Sequence, residues 1–225
     1  KGIEYLKSVA DNGDLEAKVR LGFLYNNGHE VAKNYTKAKQ YFEEAASSGN
    51  LNAIAMLGDY YLKGHGVTKD YTKAKQYFEK AALRDKDDRL TGSKVKIGYM
   101  YLNGLGGTKS YTTAKRYFEE AESYDSLGWM YYTGNASIKD YKKAKEYFEK
   151  GSSSLNNLAL MYFRGQGVTQ DYKKAKELFQ EDAKGYYSNS KNNLAWMYLN
   201  GYGAEQNTEK ALELFKEAAN KDVVE

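Results

Sequence analysis

The sequence predicts an all-α solenoid, a stack of helix-turn-helix repeats, about six of them, preceded by a half repeat. Three observations lead there. First, the nonapeptide YTKAKQYFE occupies Tyr35–Glu43 and again Tyr71–Glu79, and looser copies begin at Tyr111, Tyr141, Tyr172 and Thr208. Self-similarity at this period marks a repeat architecture, in which each copy buries its apolar face against its neighbours. Second, every copy carries two small residues in fixed register. Gly22, Gly58, Gly98, Gly128, Ala159 and Ala195 each precede a second mark (Ala38, Ala74, Ala114, Ala144, Ala175, Ala211) by sixteen residues. Third, the 225 residues contain no proline, where average usage of about 5% would give roughly eleven. Helices therefore run without interruption.

The opening stretch GIEYLKSVADNGD reads as the second helix of a preceding repeat, with Leu6 in the place that Phe42 holds later. The expectation is a piece of a longer array or larger complex. In the first full repeat Ala17, Leu21, Leu24 and Tyr25 recur at helical spacing and share a face. Gly28, Gly64, Gly104, Gly134, Gly165 and Gly201 then end the first helices, since glycine enters the left-handed conformation that closes a helix. Four residues before each alanine mark stands Asn34, Asp70, Ser110, Asp140, Asp171 or Asn207. Each is a side chain that accepts from the free N–H groups of a first helical turn. The second helix follows, with Ala38, Tyr41, Phe42 and Ala45 on one face. Small residues let the helix backbones approach while Phe42 and Tyr25 fill the space between. Residues 1–14 form the half repeat, and repeats span 15–49, 50–84, 85–123, 124–152, 153–184 and 185–225, within a single domain of 1–225.

The repeats differ in the passage from second helix to next first helix. From the phenylalanine mark to the next small mark the spacings are 16, 20, 10, 11 and 16 residues. Repeats three and four are thus followed by connections about six residues short, or about 9 Å of helix at 1.5 Å per residue. The long connection Leu83–Lys94 is polar and charged, and is expected as an exposed loop.

The motif LGDYYLKGHGV (Leu57–Val67), followed by Asp70, Ala74, Phe78 and Ala81, resembles the Sel-one-like repeat (SLR) family, relatives of the tetratricopeptide repeat. The tetratricopeptide pattern shares A-x3-F-x2-A, met by Ala38, Phe42 and Ala45, but its inter-helix turn is shorter than the G-x-G loop here. The match runs over nearly the whole chain. It departs at Ala159 and Ala195, which replace glycine, and at GNASI and GYGAE, which replace G-x-G-V. The resemblance implies a right-handed superhelical solenoid whose first helices line a concave surface. It also implies an adaptor role, as in endoplasmic-reticulum quality-control assemblies and bacterial host-interaction proteins.

One position is singled out by helical-wheel arithmetic: the residue after each glycine or alanine mark. At about 100° per residue it lies about 200° from the core leucine two places earlier, on the solvent side. Phe23, Asp59, Tyr99, Trp129, Leu160 and Trp196 occupy it, including both tryptophans of the chain. Aromatic side chains on a polar surface favour partner binding, so this stripe is the expected groove for a protein or peptide. Its alternative role is to fill gaps between neighbouring first helices. The lysines that open the second helices (Lys37, Lys39, Lys73, Lys75, Lys142, Lys143, Lys173, Lys174) form a basic ridge, with i,i+4 pairs at Lys39–Glu43, Lys75–Glu79 and Lys145–Glu149. Lysine near a helix N-terminus opposes the macrodipole, so propensity does not account for it. The ridge reads as a solvated face in preference to a site for an acidic partner.

Other functions find little support. Composition is 41% hydrophobic and 28% charged with net charge +4, and glutamate follows each lysine pair, which does not describe a nucleic-acid footprint. No apolar run approaches the roughly 20 residues that span a bilayer. With no cysteine, disulfides are excluded. His29 and His65 follow loop glycines without an ordered carboxylate set, so they make a weak metal site, and no cofactor is expected. The glycine loops lack the strand and lysine of a phosphate cradle, and no nucleophile–base set assembles, so the chain reads as non-catalytic. The tyrosines fall at repeat positions and read as core with a polar tip. The sequons at Asn34 and Asn135 match chance occurrence, and Asn34 is already claimed as a cap. Two alternatives to a scaffold stand: a regulatory region attached to a catalytic module outside this sequence, and a carbohydrate or peptidoglycan binder stacking sugars on Tyr99, Trp129 and Trp196.

Overall fold

The computed structural model describes residues 2–84, 91–135, 139–151, 153–185 and 188–221, of which 220 and 221 are described by backbone alone. Among the described residues are thirteen α-helices and no strand. They are α1 (Gly2–Asp11), α2 (Leu15–Asn27), α3 (Tyr35–Ser47), α4 (Leu51–Lys63), α5 (Tyr71–Arg84), α6 (Thr91–Asn103) and α7 (Tyr111–Glu120). Then follow α8 (Tyr124–Thr133), α9 (Tyr141–Lys150), α10 (Leu155–Arg164), α11 (Tyr172–Ala183), α12 (Ser188–Asn200) and α13 (Thr208–Lys221). Even-numbered helices are the first helices of repeats, odd-numbered ones from α3 onward the second. The chain forms two compact units, Lys1–Glu122 and Ser123–Glu225.

The pairing of first and second helix rests on one knob and one gap. In the N-terminal unit, a Cβ placed on Gly22, Gly58 or Gly98 would lie only 2.5–2.6 Å from the ring of Phe42, Phe78 or Phe118. Those rings and the neighbouring alanines Ala38, Ala74 and Ala114 are fully buried. Gly128 and Phe148 repeat the arrangement in the C-terminal unit. All six expected caps form: backbone N–H groups of Lys37, Lys73, Thr113, Lys143, Lys174 and Lys210 donate to the Asn34, Asp70, Ser110, Asp140, Asp171 and Asn207 side chains at 2.8–3.2 Å. All six first-helix terminators hold positive φ, from 67° to 83°.

The shortened connections are absorbed by the helices themselves. Helices α7, α8, α9 and α10 have ten residues each, against twelve to fourteen in α3 to α6 and α11 to α13. Three residues lost from the end of one helix and three from the start of the next account for the missing six. The long connection is shorter than expected, because Leu83 and Arg84 still belong to α5 and Thr91–Lys94 already to α6. Its middle, 85–90, lies outside the described residues, as do Ala136 and Ser137 of the second sequon. No helix is long and apolar enough to cross a membrane, among the described residues.

The loops hold a device that the spacing of glycines only hints at. In G-x-G, the first glycine ends the helix and the second lets the loop press on the backbone that opens the second helix of the preceding repeat. A Cβ on Gly106 would meet the Tyr71 carbonyl oxygen at 2.5 Å, and one on Gly66 the Tyr35 carbonyl carbon at 3.1 Å. Gly167 and Gly203 lie against Tyr141 and Tyr172 in the same way. The residue between the glycines then covers that tyrosine. His65 stacks on Tyr35 with centroids 4.2 Å apart, Leu105 and Tyr71 cap the same core cluster, Gln166 Nε2 donates to Tyr141 Oη at 3.2 Å, and Tyr202 lies 5.0 Å from Tyr172. Each of these four loops is thus a clip between consecutive repeats. In the first repeat the place of the second glycine is held by Glu30, at φ 58°.

Candidate functional site

The six residues after the small marks project from the first helices, and each unit carries three. In the N-terminal unit Phe23 and Tyr99 are 37% and 41% exposed, and each ring also sets its edge on the phenylalanine knob of its own repeat. Phe23 meets Phe42 at 5.3 Å and Tyr99 meets Phe118 at 5.1 Å, both T-shaped. In the C-terminal unit Trp129 is 42% and Trp196 58% exposed, while Leu160 is half-buried. Trp129 stacks on Tyr132 at 5.7 Å, and Trp196 meets Phe215 edge-on at 6.2 Å. The aromatic rings are therefore held by packing on one edge and open to solvent on the other. Such an anchored ring contributes area to a contact at little conformational cost.

Asp59 stands apart from its row. Its Oδ2 accepts from Lys96 Nζ at 2.6 Å, tying α4 to α6, and its Oδ1 is buried without a hydrogen bond. The same ammonium lies 5.1 Å from the centroid of the Phe78 ring. The carboxylate so fills the space between two first helices and leaves that stretch of the face closed. Sequence reading had no means to see this, because the partner comes 37 residues later across the most irregular connection of the chain.

The corresponding place between α10 and α12 is open. It is a cavity of about 260 Å³ floored by Phe179 and walled by Leu160, Phe163 and Trp196. Tyr202, from the clip of the last loop, closes one side, packing edge-on against Phe163 at 5.4 Å. Polar groups stand around the opening: Arg164, Asn193 and Asn200. Arg164 donates to Tyr132 Oη at 2.8 Å, Asn193 to Asn156 Oδ1 at 2.8 Å, and Asn200 to the Trp196 carbonyl at 2.8 Å. Leu160 and Trp196 belong to the stripe that the sequence singles out. Phe163, Arg164, Phe179, Asn193, Asn200 and Tyr202 do not, and of these only Tyr202 lies in a segment noted for its departure, the GYGAE that replaces G-x-G-V.

The lysine ridge has a structural occupation. Lys37, Lys73, Lys143 and Lys210 lie over Tyr25, Tyr61, Tyr131 and Tyr198 at 5.1–5.4 Å from the ring centroids. Tyr25, Tyr61 and Tyr131 in turn stack flat on Tyr41, Tyr77 and Tyr147 of the second helix. A lysine that opposes the helix dipole is thus compensated by the negative face of a tyrosine. Burial pushes the Tyr41 and Tyr77 hydroxyls above their ordinary range. Of the expected ion pairs, Lys39–Glu43 and Lys145–Glu149 form at 2.7 and 2.6 Å. In both, the glutamate raises the lysine above its ordinary value, chiefly through that hydrogen bond. Lys75 instead lies 4.2 Å from the Tyr101 centroid. No group of three or more His, Asp or Glu side chains suited to a metal exists among the described residues.

Comparison with known proteins agrees with this architecture. The crystal structure of a protective antigen present in uropathogenic Escherichia coli strains, displaying an SLR fold, is 30% identical with a TM-score of 0.77 over 97% of this chain. This chain spans 48% of that antigen's length. A Sel1 repeat protein from Oxalobacter formigenes is 29% identical with a TM-score of 0.79, covering 91% of this chain and 85% of its own. No curated protein sequence matches the chain. Sel1 repeat proteins are in general protein-interaction scaffolds and typically non-catalytic. The Sel1 repeat model matches residues 15–50, 51–86, 93–123, 121–154, 152–181 and 188–223. With six matched repeats and an all-α helical-repeat fold, the chain belongs to the Sel1 repeat family.

Proposed function

We propose that this chain is a non-catalytic scaffold that takes a protein or peptide partner on the face presented by its first helices. Phe23 and Tyr99 carry that face in the N-terminal unit, where Asp59 is tied up by Lys96, and Trp129, Leu160 and Trp196 carry it in the C-terminal one. The observation that supports this reading is the exposure of four aromatic side chains, 37–58%, each anchored by a ring contact at its other edge. Residues that served only to pack first helix on first helix would be covered. Tryptophan and tyrosine dominate interface hot spots, and truncating one typically costs about 2 kcal/mol or more, close to thirtyfold in affinity.

The test compares captured partners of the wild-type chain with those of Trp129→Ala and Trp196→Ala, with helicity followed by circular dichroism. Both variants should keep their helix content and lose partner. Replacing Lys142 and Lys143 should leave affinity nearly unchanged, apart from a salt-dependent association rate. If the tryptophan variants melt earlier yet bind the partner with wild-type affinity, the stripe is packing and the reading fails.

A further inference from the structure

We infer that the cavity between α10 and α12 is a subsite for one aromatic side chain of a peptide partner, flanked by an acidic residue held by Arg164. This rests on the scaffold reading and names the chemistry of its partner at one place. The chain holds a closed counterpart of this place. Counted from the small marks, Leu160, Phe179 and Asn193 correspond to Asp59, Phe78 and Lys96. Between α4 and α6 the place is plugged, with Lys96 lying over the Phe78 ring and bonded to Asp59. Between α10 and α12 leucine and asparagine replace that ion pair, and the ring of Phe179 becomes the floor of a cavity of about 260 Å³. One fold thus has a closed and an open version of the same pocket.

The size of the cavity fits one ring. Apolar cavities of about 150 Å³ take up benzene, and pockets for whole small molecules start at about 300 Å³. A volume of about 260 Å³ suits one aromatic side chain and the chain bearing it. The charge at its rim is positive. Among the described residues that line the cavity, Arg164 alone is charged. Its guanidinium is exposed and commits one N–H to Tyr132, which steadies a fork whose other donors match a carboxylate. Asn193 and Asn200 give their N–H groups to Asn156 and to the Trp196 carbonyl, which leaves each an acceptor oxygen for a peptide N–H. A sugar would bring hydroxyls to a floor and three walls that are apolar, and no lining carboxylate would receive them.

The whole chain is titrated with the capped peptide acetyl-Ser-Glu-Phe-Glu-Ser-amide, and the indole N–H resonances of its two tryptophans are followed by NMR. The resonances are assigned with Trp129→Phe. The Trp196 signal should shift saturably and by more than that of Trp129, which touches the cavity only through Tyr132 and Arg164. Replacing the peptide's phenylalanine by serine should abolish the shift. Replacing its glutamates by lysine should weaken binding about threefold or more, the scale of an exposed ion pair. The double variant Leu160→Asp, Asn193→Lys imports the chain's own plug and should abolish binding with helix content unchanged. Should it fold poorly, Asn193→Met, the residue found at the corresponding Met56, decides. An unmoved Trp196 signal at millimolar peptide, equal affinity for the lysine peptide, or a shift that survives the plug would each overturn the proposal. So would a Trp196 shift given by N-acetylglucosamine oligomers and not by the peptide. The scaffold reading fails separately: a plugged variant that still binds a partner lost by Trp129→Ala sinks the subsite and leaves the scaffold.

Discussion

The clip between consecutive repeats makes a sharp prediction, because one loop contains its own control. Gly104 and Gly106 hold nearly the same φ, 70° and 69°. Alanine at either position meets the same left-handed penalty, about 1–2 kcal/mol. Their surroundings differ. The nearest neighbour of a Cβ on Gly104 is the Lys109 Cβ at 3.4 Å, an ordinary van der Waals contact. On Gly106 the Cβ would meet backbone: the Tyr71 oxygen at 2.5 Å, its carbonyl carbon at 2.7 Å and the Thr72 nitrogen at 2.9 Å. Restoring van der Waals distance requires the loop to retreat by roughly 1 Å from the start of α5. That retreat draws Leu105 off its core cluster. Overpacking of this kind costs about 1–3 kcal/mol, so Gly104→Ala should cost about 1–2 and Gly106→Ala about 2–5 kcal/mol. In a chain of this length each kcal/mol moves Tm by about 2–4 °C. Thermal and urea melts followed by far-ultraviolet circular dichroism would read the difference. Equal losses from the two variants would show that the loop does not bear on the preceding helix, and the clip would have to be abandoned.

Three further outcomes follow from the same structure. Phe78→Ala removes a fully buried knob and should cost about 3–5 kcal/mol, while Asp70→Ala loses a 2.9 Å cap and should cost about 1 kcal/mol; an unchanged urea midpoint for Phe78→Ala would contradict its place in the core. Glu30→Gly relieves a left-handed glutamate and should stabilise by about 1 kcal/mol, seen as a raised Tm, so a lowered one would mean that the glutamate side chain matters more than its backbone. His65 is held below its ordinary pKa by burial, then by Lys63 and Lys33. The folded chain therefore prefers the neutral imidazole, and this contribution is complete above about pH 6.5 and is lost as pH falls toward the lower folded value. Against His65→Phe, which keeps the stack on Tyr35, wild-type Tm should drop between about pH 7.5 and pH 5; a constant gap would rule out the titration.

The fold was legible because its signals are local. A capping side chain, a helix-ending glycine and a small residue sixteen places before an alanine each act within one repeat, so a single sequence displays them six times over. The stripe of exposed aromatics was legible for the same reason. What stayed hidden are contacts from one repeat to the next, where the separation varies with the connection. Asp59 shares a wheel position with Phe23 and Tyr99, yet Lys96 converts it from a face residue to a plug. Arg164 and Asn193 reach the cavity only because α10 and α12 face each other. Lysine at the start of the second helices looked unfavourable until the tyrosine faces beneath it were in view.

The trimmed helices carry a consequence of their own. Within the C-terminal unit, α8, α9 and α10 offer ten residues each, while α11, α12 and α13 offer twelve to fourteen. In a protein built from nearest-neighbour stacking, the stability of each segment is close to a local property. A helix shorter by half a turn to a turn buries less and opens more often, and opening exposes amide protons to exchange. Deuterium should therefore enter α9 well before α11, although the two bear nearly the same sequence motif. The C-terminal unit thus has a graded resistance to local melting written into its helix lengths, and Trp129 sits inside its most yielding stretch.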